Sequence, residues 1–259
     1  MTSYRLTPNV LVCSGLDPSG GAGFIADVRV IDKLGGRPAG VVTALTVQNT
    51  TGVAELQPCD PELVDHQLGF LLTDIQFRAV KIGLLGSAAI ARSLGTALQL
   101  TDAPVVWDPI LAATRGNIAL LDDVEGALAA LRPHLTLITP NRHELAQLAG
   151  RPMADLAAAA TAATELAHRA DCAVLVKGGH FDGDESIDLL VHGDERHELR
   201  GPRVAGEDVH GTGCALSSAI ATHLARGRTL VEACRLAKEH VAALIVHHAR
   251  PGRGATAVV

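Results

Sequence analysis

The strongest constraint on this chain's fold is a repeated alternation. Short apolar, β-branched runs take turns with longer Ala/Leu-rich segments from the first strand to the last. The runs Val10–Ser14, Val41–Val47, Val80–Leu84, Val105–Asp108, Leu135–Thr139 and Ala173–Lys177 read as strands. Near-continuous apolar character suits parallel strands covered on both faces. Between and after them, Gly23–Leu34, Pro61–Thr73, Ala88–Leu100, Asp122–Leu131, Arg142–Leu148, Asp155–Ala170, Gly213–Arg226 and Leu230–His248 read as helices. Ile187–His192 and Arg196–Arg200, joined over Gly193-Asp194, read as an antiparallel hairpin at the sheet edge. The expectation is an α/β fold: a central, mostly parallel sheet with helices on both faces, connected right-handedly. No linker, repeat or charge block divides the chain, so residues 1–259 are expected to form a single domain.

The core must be aliphatic, because 47% of residues are hydrophobic but only 2% aromatic. A net charge of -6, without a basic run, argues against nucleic acid as a partner. The start, MTSYRLTPNVLVCSG, lacks the pattern of a signal peptide, and no run of about 18 apolar residues predicts a membrane span. The five cysteines, at 13, 59, 172, 214 and 234, form no CxxC pair, and reduced cytoplasmic thiols are expected.

Ligands of such sheets bind beyond the carboxyl ends of the strands. Residues with chemical potential collect there: Asp17 after the first strand, Gln48 and Asn49 after the second, Lys81–Gly83 at the third. Asp108 follows the fourth, Asn141 and Glu144 the fifth, and Lys177-Gly178-Gly179 the sixth. Near the end, His210-Gly211-Thr212-Gly213-Cys214 stands where a small-residue helix begins. A helix start leaves amides unpaired and carries partial positive charge, and glycines let an anion approach them. Gly211, Thr212 and Gly213 thus read as a cradle for a phosphate or a developing oxyanion. Cys214, in the first turn, is expected to have a lowered thiol pKa. The segment alone also fits a Gly-rich turn capping a buried helix.

The other motifs carry two readings each. Gly21-Ala22-Gly23-Phe24-Ile25-Ala26 matches a GxGxxA dinucleotide fingerprint. Three features count against it: a long loop after Gly15, no acidic residue after the second strand, and Asp27 too close to the glycines. The loop instead lets backbone approach a small substrate, with Asp27 turned toward it or merely favoured by the helix dipole. Gln48 offers donor and acceptor to a heteroaromatic edge, or simply satisfies a turn. Asn141 and Glu144 have capping-box spacing, and Glu144 alternatively holds metal-bound water. Lys177 either snorkels or supplies charge to a nucleotide phosphate. No GxxxxGK[ST], HExxH or GxSxG sequence is present.

Taken in order, GLDPSGGAG, Asp27, TVQNT (46–50), KIGLLG (81–86), DPIL (108–111), ITPNRHE (138–144), VKGGH (176–180) and HGTGC (210–214) span nearly the whole chain. Each motif is weak alone; the ordered set closely resembles the hydroxymethylpyrimidine and phosphohydroxymethylpyrimidine kinases of thiamine biosynthesis, within the ribokinase-like superfamily. The resemblance implies a ribokinase-like three-layer fold, a homodimer, and ATP with Mg²⁺. It also implies two successive phosphorylations of 4-amino-5-hydroxymethyl-2-methylpyrimidine. Gly211–Cys214 would form the anion hole, with Cys214 where superfamily sugar kinases place a catalytic aspartate. Gln48 and Asp27 would bind the pyrimidine, and Gly15, Ala22, Leu84 and Ile110 would surround it. Lys177, Asn141 and Thr212 would serve ATP, and Asp108 and Glu144 would organise Mg²⁺ and its waters. Two departures stand out: Ala113-Thr114-Arg115-Gly116 replaces a K-S-G-like stretch, and the tail PGRGATAVV lacks a GPVHH-like ending. Rival readings are a pyridoxal kinase and a non-catalytic pyrimidine-binding protein; a sugar kinase fits less well, because HGTGC has no aspartate.

Overall fold

The computed structural model describes residues 7–112, 119–180, 185–203 and 209–258, with the side chain of His180 left aside. The Ala113–Gly116 departure therefore lies outside the described residues. Within them, six strands run parallel: β1 (Asn9–Leu16), β2 (Arg37–Asn49), β4 (Ala79–Ile82), β5 (Val105–Trp107), β6 (Leu135–Ile138) and β7 (Ala173–Val176). Three antiparallel strands flank them: β3 (Gly52–Pro58) against β2, then β8 (Glu185–His192) and β9 (Glu195–Pro202) beyond β7. The sheet order is β3-β2-β1-β4-β5-β6-β7-β8-β9.

Period-2 alternation sends successive side chains of each strand to opposite faces. Leu11, Cys13, Val80, Ile82, Val105, Trp107, Val174 and Val176 enter one buried cluster. It is covered by α2 (Pro61–Asp74), α3 (Ala88–Ala97), α4 (Val124–Leu131), α5 (Arg142–Ala149) and α6 (Leu156–Ala170). Their neighbours Val10, Val12, Ala79, Val106, Ala173 and Leu175 enter a second cluster. That one is covered by α1 (Gly23–Lys33), α7 (Thr212–Ala225) and α8 (Leu230–Val246). The expected three-layer α/β architecture is the one observed. Burial on both faces is what lets the parallel strands be apolar throughout.

Two elements depart from the sequence expectation. The polar segment after Gln48 returns as β3, forming a hairpin through the turn at Thr50-Thr51. The tail also folds back, and β11 (Thr256–Ala257) pairs in parallel with β10 (Val209–His210), directly before the HGTGC glycines. Ala255 N–H donates to the Thr50 carbonyl at 2.7 Å, so the tail ties the hairpin turn to the start of α7. No helix among the described residues is long and apolar enough to cross a membrane. None of the five cysteines is paired.

Candidate active site

The carboxyl ends of the parallel strands converge on the starts of α1 and α7. These two helices lack a side-chain N-cap, at Ala22 and Gly211. Each of the other six α-helices among the described residues is capped, by Asp60, Ser87, Asp123, Asn141, Asp155 or Thr229. An uncapped start leaves amide donors and dipole charge available to a ligand. The α7 start carries no acidic residue in its first turn, so nothing within the helix competes for that role. Gly211 adopts φ of 88°, and a β-carbon there would run into the carbonyl oxygen of Gly21. Glycine is thus required where the two loops meet.

Beside this start lies a charged cluster. Lys177 Nζ is 2.8 Å from Asp108 Oδ1 and 3.3 Å from Glu144 Oε2. A β-carbon on Gly213 would stand 3.3 Å from the same ammonium and 3.5 Å from Asp108 Oδ2, so cluster and helix start share one space. Lys177 does not snorkel out; its side chain is only 14% exposed. Burial disfavours its charge, but Asp108 and Glu144 outweigh this and raise its pKa. For Glu144, burial together with the Asp108 charge prevails over Lys177 and raises the carboxyl. One ammonium thus faces two carboxyl groups, and Glu144 is the more loosely paired of the two. Glu144 also completes the expected capping box: Asn141 accepts from the His143 and Glu144 amides, and Glu144 Oε2 accepts from Asn141 N–H at 2.6 Å. The capping reading of Glu144 is thus the one observed, and the Asn141 side-chain oxygen is occupied by the cap.

Two expectations need correction. Asp27 is not turned toward open space. It is fully buried, and Lys81 Nζ lies 2.6 Å from Oδ2 while Ser218 Oγ donates to Oδ1 at 2.7 Å. Asp27 comes from α1, Lys81 from β4 and Ser218 from α7, so the pair binds sheet and helices together beneath the site. The sequence signal was available: a lysine at an inward position of an apolar strand needs a buried partner. Cys214, likewise, is not a lowered-pKa thiol. Burial pushes it up to about 12, and the nearby Lys81 charge only partly offsets this. A helix start lowers a thiol pKa only when solvent or donors can stabilise the thiolate, and Cys214 is 5% exposed.

The remaining expected residues gather around an apolar patch. Leu84 and Ile110 pack with Ala44, Leu56 and Leu120 in a small cluster separate from the main cores. Gly15 admits Leu84, whose Cδ2 would lie 2.6 Å from a β-carbon there. Ala22 N–H donates to Asp17 Oδ2 at 3.0 Å. Gln48, half-buried at the end of β2, reaches His210 Nε2 at 3.2 Å across the loop before α7. Sequence reasoning gave His210 no role of its own and left Asp17 as one polar loop residue among many. Their link became visible only when the fold closed, because 193 positions separate them.

Comparison with known proteins accords with this arrangement. Residues 17–259 match the family described as phosphomethylpyrimidine kinase. A hydroxymethylpyrimidine/phosphomethylpyrimidine kinase of Streptomyces coelicolor is 40% identical over 242 residues, covering 92% of this chain and 88% of that protein. Among solved structures, the Clostridium difficile phosphomethylpyrimidine kinase superposes with a TM-score of 0.78 at 30% identity, covering 92% of this chain and 99% of that one. Staphylococcus aureus pyridoxal kinase in complex with AMP-PCP and pyridoxal gives 0.85 at 26% identity, covering 98% and 93%. With an aliphatic three-layer α/β frame, an open α7 start beside a lysine–carboxylate cluster, and this extent of likeness, the chain belongs to the phosphomethylpyrimidine kinase family.

Proposed function

We propose that this phosphotransferase moves the γ-phosphoryl group of ATP to 4-amino-5-hydroxymethyl-2-methylpyrimidine and then to the resulting monophosphate. The observation that carries the reading is the uncapped α7 start lying against the Lys177–Asp108–Glu144 cluster. Phosphoryl transfer spreads negative charge over oxygens and demands positioning more than covalent chemistry. The amides of Thr212, Gly213 and Cys214, with no side-chain cap over them, receive that charge, and Lys177 holds the phosphate chain beside them. The Leu84–Ile110 patch and Gln48 grip the pyrimidine, apolar faces against one and ring edge against the other.

The same cluster suits Mg²⁺. Among the described residues no three or more His, Cys, Asp or Glu side chains converge as a metal cage. Mg²⁺ commonly keeps its waters and takes one or two carboxylates plus phosphates. Asp108 and Glu144 would hold such a hydrated ion. When bound, it would neutralise charge on the phosphates. Cys214 enters as a neutral thiol that packs against the substrate and takes no proton.

ADP release tests the reading, with hydroxymethylpyrimidine, its monophosphate and pyridoxal offered in separate assays. Turnover of both pyrimidines is expected, with Gln48→Ala raising the pyrimidine KM far more than the ATP KM. A pyridoxal kinase is the second reading, favoured by the superposition on the Staphylococcus aureus enzyme. Turnover of pyridoxal alone would establish it and remove the pyrimidine assignment.

A further inference from the structure

Gln48 sits between two partners whose protons are already committed. The amide is placed with Oε1 3.2 Å from Thr46 Oγ1 and Nε2 3.2 Å from His210 Nε2, and a half-turn exchanges the two. Thr46 Oγ1 has a single proton facing two acceptors, and the Leu16 carbonyl oxygen, at 2.8 Å, is the nearer. A carbonyl only accepts, so Thr46 turns lone pairs toward Gln48. The Gln48 atom on that side must donate.

The other side is fixed independently. His210 Nε2 also lies 3.2 Å from Asp17 Oδ2. Asp17 is held as a carboxylate: the Ser19 amide and hydroxyl donate to Oδ1 at 2.8 and 2.7 Å, and the Ala22 amide donates to Oδ2 at 3.0 Å. Burial works against its charge, yet the bonds from His210 and Ser19 prevail and lower the carboxyl below its ordinary value. A carboxylate cannot donate, so His210 Nε2 must carry the proton. That single proton lies between Asp17 Oδ2 and Gln48, each 3.2 Å away, and the Gln48 atom facing it must accept a share.

Both constraints select one orientation of an amide whose two forms differ by a half-turn. With the nitrogen toward His210 and the oxygen toward Thr46, an N–H would face an N–H on one side and lone pairs would face lone pairs on the other. We propose that Asp17 and His210 are positioning residues that lock the Gln48 amide with its oxygen toward His210 and its NH₂ toward Thr46. The second lone pair and second N–H are then left in a fixed order for the edge of the ligand. A ring offering an acceptor beside an amino donor matches that pair in one sense only. Specificity for an aminopyrimidine edge thus depends on Asp17, which touches no part of the ring. The inference rests on Gln48 being the ring contact.

Nitrogen NMR of the free protein tests the lock without substrate. Neutral His210 is expected to show a protonated Nε2 and a bare Nδ1; a bare Nε2 overturns the proposal. Asp17→Asn places an amide opposite Nε2, letting the tautomer switch and the Gln48 amide turn. Its dissociation constant for hydroxymethylpyrimidine should rise about tenfold, the scale of one hydrogen bond to a charged group, with ATP-analogue binding unchanged. Thr46→Val, which removes the other constraint while leaving the Asp17 side chain its Ser19, Ala22 and His210 partners, should weaken pyrimidine binding in the same direction. Unchanged pyrimidine binding in Gln48→Ala would sink the ring-contact reading itself. A weakened Gln48→Ala beside unchanged Asp17→Asn and Thr46→Val would sink the positioning role alone.

Discussion

Two helix starts at the same edge of the sheet are built in opposite ways. At α5 three local donors are used: Asn141 accepts from two amides and Glu144 reaches back to the Asn141 N–H. At α7 the cap is Gly211, no side chain covers the first turn, and no acid sits within it. A closed start stabilises its own helix, whereas an open one keeps its donors for an incoming anion. Lys177 joins the two, since it pairs with Glu144 on α5 while its ammonium stands beside Gly213 on α7. The contrast separates fixed scaffold from binding surface within a few ångströms.

Closing the open start should have the largest effect. Thr212→Asp puts a carboxylate in the first turn of α7, where the dipole favours it by about 0.3–1 kcal/mol. Folding stability should rise slightly while kcat falls by about 10² or more, as when an oxyanion donor is lost. Denaturant unfolding and steady-state kinetics on the same sample check both; intact kcat would contradict the open-start role. Cutting the link comes next. Lys177→Met leaves Asp108 and Glu144 buried beside each other without their ammonium, and should cost about 3 kcal/mol of stability. Wild-type Lys177 has a raised folded pKa, so its contribution is complete at neutral pH. It is lost only as pH climbs past the ordinary lysine value of 10.5 and through the folded one.

Opening the closed start should cost less. Asn141→Ala removes the cap of α5 and should lower stability by about 1 kcal/mol, read from urea unfolding. The smallest effect is an expected flatness. Because burial holds the Cys214 thiol near 12 instead of 9.0, kcat should show no inflection through the ordinary thiol range. A rise in kcat centred near pH 9 would restore a thiolate base.

Much of this was legible in the chain. The parallel strands and all eight helices follow from apolar periodicity and from caps such as Ser87 and Asp155, because those signals are local. The capping box at Asn141 and the glycines at α7 could be read for the same reason. Less local features could not. The β3 strand is a half-exposed edge whose Glu55 and Gln57 hide its alternation, and β11 exists only through its pairing with β10. Lys81 in an apolar strand signals a buried partner, but that the partner is Asp27, 54 positions away, is fixed only when the layers pack. Cys214 was given the chemistry of an exposed helix start because burial is a property of the finished fold. The sequence names the groups that bear chemistry; which neighbour uses each one is settled by packing.

The most direct measurement is of the backbone amides themselves, by ¹H–¹⁵N NMR of the enzyme with and without hydroxymethylpyrimidine and ADP plus a trigonal phosphoryl mimic such as aluminium fluoride. The amides of Thr212, Gly213 and Cys214 should shift strongly as they take up the anion, while those of His143 and Glu144, already bonded to Asn141, stay nearly still. Large shifts at His143 and Glu144 with none at α7 would contradict the assignment of the open start as the phosphoryl site.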